Sequence, residues 1–66
     1  MTRTGYVSDD FRHIVNALRQ PLMLITSYKA EGNSALITAV DDHGKRWEGV
    51  AGVQPNARVT MRESRD

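Results

Sequence analysis

The chain of 66 residues contains no cysteine, so it can form neither a disulfide nor a thiolate metal site. A structural zinc is usually held by four cysteine or histidine ligands, and this chain has only two histidines. No apolar run approaches the ~18 residues that cross a bilayer. No apolar segment follows residues 1–5 as in a secretory signal. We therefore expect a cytoplasmic protein that uses no metal and no other cofactor and does not bind membranes.

An excess of charge of one sign is also missing. Nine basic and eight acidic residues give a net charge of +1, whereas a strong nucleic-acid binder carries a marked excess of Lys and Arg. The length allows a single domain, residues 1–66, whose core is small. Small domains without disulfides or metals often gain stability by self-association. We therefore expect a homo-oligomer.

The N-terminal third carries the features of a helix. Ser8 is a typical N-cap residue, and Pro21 disfavours helical geometry at the residue before it. Between them, apolar residues recur at positions i, i+3, i+4 and i+7, namely Phe11, Ile14, Val15 and Leu18. This spacing predicts an amphipathic helix over about residues 9–20, with the first seven residues as a lead-in.

The remaining chain alternates between β-forming runs and turn signals. The runs predict strands over about residues 22–29, 35–41, 45–51 and 57–63. Gly32-Asn33, Gly44 and Pro55 mark the turns between them. Because the connections are short, neighbouring strands should be antiparallel. The sequence therefore predicts an α+β fold, with an N-terminal amphipathic helix followed by a four-stranded antiparallel meander.

This order of elements resembles that of Sm-like and other SH3-like small barrels, in which an N-terminal helix precedes strongly bent strands. Gly49 and Gly52 fit the resemblance, because glycines inside a strand often mark a bend or a bulge. The resemblance implies a sheet that can curl into a small barrel. Whether the barrel closes stays open at this point.

Trp47 is the single tryptophan and has three interpretations. Its alternation with Gly49 and Ala51 favours the core. A second interpretation is an anchor in a protein interface, where Trp, Tyr and Arg are enriched. The third is a stacking platform for an unpaired base, since Trp47 is flanked by cations.

The other candidate binding residues are one aromatic and several basic side chains. Arg58 and Arg62 share one face of the last predicted strand and form a modest basic stripe. The full set of candidates is Trp47, Tyr28, Lys45, Arg46, Arg58 and Arg62. By contrast, the segment Asp41-Asp42-His43-Gly44 is typical of a turn rather than of a metal or catalytic site.

Two functions are compatible with these features. The first is a small non-enzymatic regulatory or inhibitory module that acts by protein–protein interaction, with another protein or with itself. The nearly even balance of charge favours it. So do the surplus apolar residues, which lie near Leu22 and Leu24 and at Val50, Ala51 and Val53. The alternative is a nucleic-acid-binding small β-barrel that uses a basic strand face and an aromatic platform. An enzyme with His13, His43, Asp41 or Asp42 in a pocket ranks last.

Overall fold

The computed structural model describes residues 2–16 and 21–64, and within these residues the chain is all-β. The strands are β1 (Thr2–Val7), β2 (His13–Val15), β3 (Pro21–Glu31), β4 (Ser34–Asp41), β5 (Arg46–Gly52) and β6 (Arg58–Glu63). Each strand pairs antiparallel with the next one along the chain, and β6 pairs with β1. The sheet therefore closes into a six-stranded barrel.

The predicted α+β fold is wrong, because residues 9–16 form a turn and a short strand instead of a helix. The Ser8 hydroxyl accepts the backbone N–H of Arg12 and of His13, which closes a tight turn. Phe11 has a φ of 59°, a conformation that a right-handed helix does not contain. The rest of the predicted helix, including Leu18, lies outside the described residues.

The lead-in assigned to the first residues is a strand. In β1, Thr2, Thr4 and Tyr6 point outwards, and Gly5 and Val7 are buried. β1 pairs along its length with β6, from Thr2 opposite Arg62 to Tyr6 opposite Arg58. The barrel closes through this pairing, and β2 joins β1 to β3 on the other side. A short helix in this region would be only marginally stable. The strands are favoured because their backbone N–H and C=O groups pair across the sheet.

The predicted antiparallel sheet is present in β3 to β6, and the turns between these strands have the expected chemistry. Gly32 and Gly44 adopt φ values of 62° and 79°. Asn56, which follows Pro55, has a φ of 63°, and the N–H of Ala57 bonds back to the carbonyl of Gln54. Positive φ at the third residue of a turn that has proline second is the type II arrangement.

One face of the strands fills the barrel. The buried cluster comprises Val7, Ile14, Met23, Ile37, Ala39, Trp47, Ala51, Val59 and Met61. Gly49 belongs to the same inward row, since it lies opposite Ile37 on one side and Met61 on the other. A Cβ built at Gly49 would lie 2.6 Å from the carbonyl oxygen of Thr60. The glycine therefore allows β6 to pack closely against β5.

Gly44 is expected to resist substitution for a backbone reason alone. Its φ lies in the left-handed region, and no atom lies within 4 Å of the position that a Cβ would take. Gly44→Val should lower the free energy of unfolding by about 1–2 kcal/mol, measured by urea denaturation. Gly44→Asn should cost less, because asparagine tolerates this region. Equal losses for the two variants would contradict the backbone explanation.

Candidate binding surface

Trp47 lies in the barrel interior, with 1% of its surface exposed. Its indole Nε1 donates a hydrogen bond to Asp41 Oδ2 at 3.0 Å. The guanidinium of Arg3, on β1, lies 5.0 Å from the centroid of the ring. The indole is therefore held by β4 and covered from β1. A base or a partner protein could reach it only if the barrel opened.

Asp41 organises the turn between β4 and β5. Its Oδ1 accepts the backbone N–H of His43 and of Lys45, both at 2.9 Å, while Oδ2 accepts from Trp47. The bond from Trp47, aided by these backbone bonds, lowers the pKa of Asp41 from 3.8 to about 2. Within residues 2–16 and 21–64, no group of three acidic or histidine side chains could hold a metal ion. The segment acts as a turn.

The depressed pKa of Asp41 predicts a specific acid sensitivity. The ionised carboxylate stabilises the folded chain fully above about pH 4, and this contribution is lost as the pH falls towards 2. The thermal midpoint of Asp41→Asn should therefore lie furthest below that of the parent at neutral pH and closest to it near pH 2. Thermal midpoints measured across this range would show the two curves converging.

The control for this experiment is Asp42→Asn, which removes the neighbouring carboxylate. Asp42 is exposed and lies 3.7 Å from His43 Nε2, with no role in the turn's backbone bonds. This variant leaves the three hydrogen bonds to Asp41 in place, so its thermal midpoint at neutral pH should lie close to that of the parent. Asp10 and Glu63 also have lowered pKa values, through hydrogen bonds from Ser8 and Lys45, so Asp41→Asn should keep some acid sensitivity. If the difference in thermal midpoint between Asp41→Asn and the parent were the same at every pH, the predicted contribution of the ionised Asp41 carboxylate would be contradicted.

Half of the predicted basic residues are engaged by acidic side chains. Lys45 bonds Glu63, and Arg62 Nε lies 3.7 Å from Glu48 Oε1. Arg46 and Arg58 are exposed on the outside of the barrel. The predicted basic face is thus a mixed-charge surface, which weakens its attraction for a phosphate backbone.

Tyr28 is half-buried on β3, near the β-bulge between Ile25 and Ser27. Its ring meets that of Phe11 edge to face, with centroids 5.2 Å apart and planes at 62°. The turn that follows β1 is therefore packed onto β3 by an aromatic pair. Tyr28 therefore has a structural role, and its side chain also packs against the buried cluster of the barrel.

Two apolar regions are exposed on the outside of β3 to β5. Leu24 on β3, named above from the sequence, is 58% exposed. The other region is a cross-strand pair on β4 and β5. Leu36 and Val50 lie directly opposite each other on β4 and β5, and they are 51% and 55% exposed. Around them, polar side chains complete a shallow concavity of about 520 Å³, lined among others by Thr38, Glu48, Thr60 and Arg62. We refer to these six residues as the β4–β5 face.

Val50 was named from the sequence as a surplus apolar residue, but the sequence contains no signal for Leu36. Leu36 stands between Ala35 and Ile37, and all three are apolar. Alternation is therefore invisible at this point, and only the observed register shows that Ala35 and Ile37 are buried while Leu36 faces outwards. Thr60 and Arg62, which alternate with Val59 and Met61, could be placed outside from sequence alone.

Comparisons with known proteins add no relative to this description. No family model matches the chain, and neither a curated protein nor a solved structure matches it. In the part of the chain that is described, no helix is long and apolar enough to cross a membrane. The class that the fold and the surface define is a small closed β-barrel with an apolar outer patch.

Proposed function

We propose that the chain is a small non-enzymatic module that regulates or inhibits a larger protein by binding to it through the β4–β5 face. The observation that carries this proposal is the exposed cross-strand pair of Leu36 and Val50. Because each side chain is already about half buried, covering the rest of it in an interface contributes about 1 kcal/mol, roughly half the value for a fully exposed side chain. Two adjacent apolar side chains with a polar surround resemble the centre and rim of a protein interface.

The strands beneath the face support a rigid binding surface. β4 is paired on both sides, with β3 and β5, and β5 is paired with β4 and β6. Leu36 and Val50 are therefore held by two complete ladders rather than by a loop. A preformed surface loses little conformational entropy when it binds, which favours affinity.

The polar residues of the face also favour a protein partner. Glu48 and Arg62 pair with each other at the margin, so the face carries no net charge. A phosphate backbone is bound through an excess of positive charge, which this face does not offer. Neither His13 nor His43 lines the concavity, and threonines complete it. This composition supports binding rather than proton transfer.

The test is to identify a partner and then to measure its dependence on Val50. The tagged parent chain is used to capture proteins from an extract of its source cells, and the captured protein is purified and titrated by calorimetry. Val50→Lys should weaken binding about 30-fold, the effect of an interface hot spot. The matched control is Val53→Lys, which changes an apolar residue outside β5 that is 37% exposed.

The control should leave the dissociation constant within about three-fold of the parent value, as surface changes outside an interface do. Circular dichroism of both variants should match that of the parent. A purified partner that binds Val50→Lys as tightly as the parent would overturn the proposal. So would failure of any captured protein to bind the purified parent chain.

A second candidate, nucleic-acid binding, is supported by one observation. Tyr6 lies opposite Arg58 on the outside of β1 and β6, and the tyrosine is 37% exposed. An aromatic ring beside an arginine can hold an unpaired base and its phosphate. Fluorescence anisotropy of labelled single-stranded RNA distinguishes the candidates. Salt-sensitive binding that Arg58→Gln abolishes, and that Val50→Lys leaves intact, would favour this second function.

A further inference from the structure

β3 runs past the end of β2, and this leaves part of one strand edge without a neighbour. β2 pairs with residues 21–24 of β3, and the N–H of Ile25 bonds to the carbonyl of Arg12. Beyond this point, residues 27–31 pair with β4 alone among the described strands. Apart from Tyr28, all of them are exposed. An edge of this kind can accept a further strand.

The hairpin geometry determines which backbone groups point towards this open edge. Glu31 and Ser34 flank the two-residue turn at Gly32 and Asn33, so they form the pair that exchanges hydrogen bonds next to the turn. Residues that bond the neighbouring strand alternate with residues whose N–H and C=O point away from it. The N–H and C=O of Ala30 and Tyr28 are therefore directed away from β4, towards the open edge.

We propose that the occupant of this edge is a second copy of the chain, paired antiparallel about a two-fold axis at Ala30. In this register Ala30 of each copy exchanges its two backbone hydrogen bonds with Ala30 of the other. Lys29 then lies opposite Glu31 of the second copy, and Glu31 lies opposite Lys29. Opposite charges placed directly across from each other stabilise a strand pair.

Electrostatics selects this register over its neighbours. A shift of two residues in one direction places Lys29 opposite Lys29 of the second copy, and a shift in the other direction places Glu31 opposite Glu31. Like charges at directly opposed positions destabilise a strand pair. The segment Lys29-Ala30-Glu31 is therefore complementary to itself in a single antiparallel register, which is the property that an isologous interface requires.

The inference goes beyond the proposed function, because neither Leu36 nor Val50 belongs to the paired edge. It also has a consequence for that function. Lys29 lies opposite Leu36 in the sheet, so edge pairing would join the β4–β5 faces of two copies into one continuous surface. Because few residues pair, the dimer should be weak and dependent on concentration.

Sedimentation velocity at roughly 10 µM to 1 mM, the range of weak complexes, tests the proposal. The parent should shift from monomer to dimer. Lys29→Glu and Glu31→Lys should each weaken self-association at least about ten-fold, since each creates like charges across the axis. An equimolar mixture of the two variants should form a heterodimer, because two acidic side chains then face two basic ones.

Restored association in the mixture separates charge pairing from a general loss of structure. Val50→Lys should dimerise like the parent, because Val50 does not lie on the paired edge. The test of edge pairing is therefore separate from the test of the β4–β5 face. In labelled parent protein, the amide signal of Ala30 should move on dilution. A parent that stays monomeric throughout would overturn the proposal. Variants that dimerise like the parent, or a mixture that stays monomeric, would also overturn it.

Discussion

Trp47→Ala is expected to unfold the barrel or to leave it barely stable. Trp47 is 1% exposed and is the largest of the fully buried side chains in the described chain. Truncating a buried tryptophan costs about 3–5 kcal/mol, which is comparable to the whole stability of a domain of this size, roughly 3–5 kcal/mol. Urea denaturation followed by circular dichroism measures the effect without relying on tryptophan fluorescence.

Two further variants separate the contributions of the indole. Trp47→Phe keeps an aromatic ring in the core but removes the N–H that Asp41 accepts, so it should cost less than Trp47→Ala. Leu36→Ala changes a large apolar residue that is half exposed, and it should cost less than about 1 kcal/mol. Equal losses for Trp47→Ala and Leu36→Ala would contradict the interior position of Trp47.

Gly49→Ala is expected to disturb the contact between β5 and β6. The added Cβ would lie 2.5 Å from Met61 Sδ and 2.6 Å from the carbonyl oxygen of Thr60. Met61 can rotate away, but the Thr60 carbonyl belongs to the backbone of β6. The strands must therefore separate locally, and overpacking of this kind costs about 1–3 kcal/mol. The loss should appear in urea denaturation.

Gly52→Ala is the matched control, since Gly52 lies on the same strand. Its Cβ would also approach an atom at 2.5 Å, but that atom is Oε1 of Gln54, at the end of a flexible side chain. Gln54 can move away, so Gly52→Ala should change stability by less than about 0.5 kcal/mol. In addition, Met61→Ala should not rescue Gly49→Ala, because the backbone clash remains. Rescue would show that the methionine alone limits the space.

The C-terminal two thirds of the fold could be predicted because their signals are local. Gly32 and Gly44 supply positive φ where turns require it. Val59 and Met61 alternate with Arg58 and Thr60, and this alternation assigns the inside and the outside of β6 correctly. Turn chemistry and period-two patterning act over a few residues, so a single sequence displays them.

The N-terminal third could not be predicted in this way. The spacing of Phe11, Ile14 and Val15 fits a helix, yet Ile14 and Val15 are also β-branched residues suited to a strand. A local pattern does not contain the information that a strand is needed between β1 and β3. The pairing of Tyr6 with Val15 and of Ile14 with Met23 decides the outcome. This is a tertiary effect that overrides helical propensity.

The candidate surface shows a similar division. The exposed positions of Arg58 and Arg62 follow from strand alternation, but the ion pair of Arg62 with Glu48 depends on the register of β5 against β6. The β4–β5 pair of Leu36 and Val50 also depends on register. The sequence also named surplus apolar residues, and of these Leu24, Val50 and Val53 are exposed, whereas Met23 and Ala51 are buried. An unbroken apolar run does not show which of its residues face outwards.

The most direct test of the fold is a nuclear magnetic resonance measurement of cross-strand contacts in uniformly labelled protein. The closed barrel predicts nuclear Overhauser contacts between β1 and β6, in particular Thr4 with Thr60 and Gly5 with Val59. It also predicts extended backbone shifts for β2. Absence of the contacts between β1 and β6, together with sequential amide contacts of a helix over residues 9–16, would contradict the barrel and the binding surface built on it.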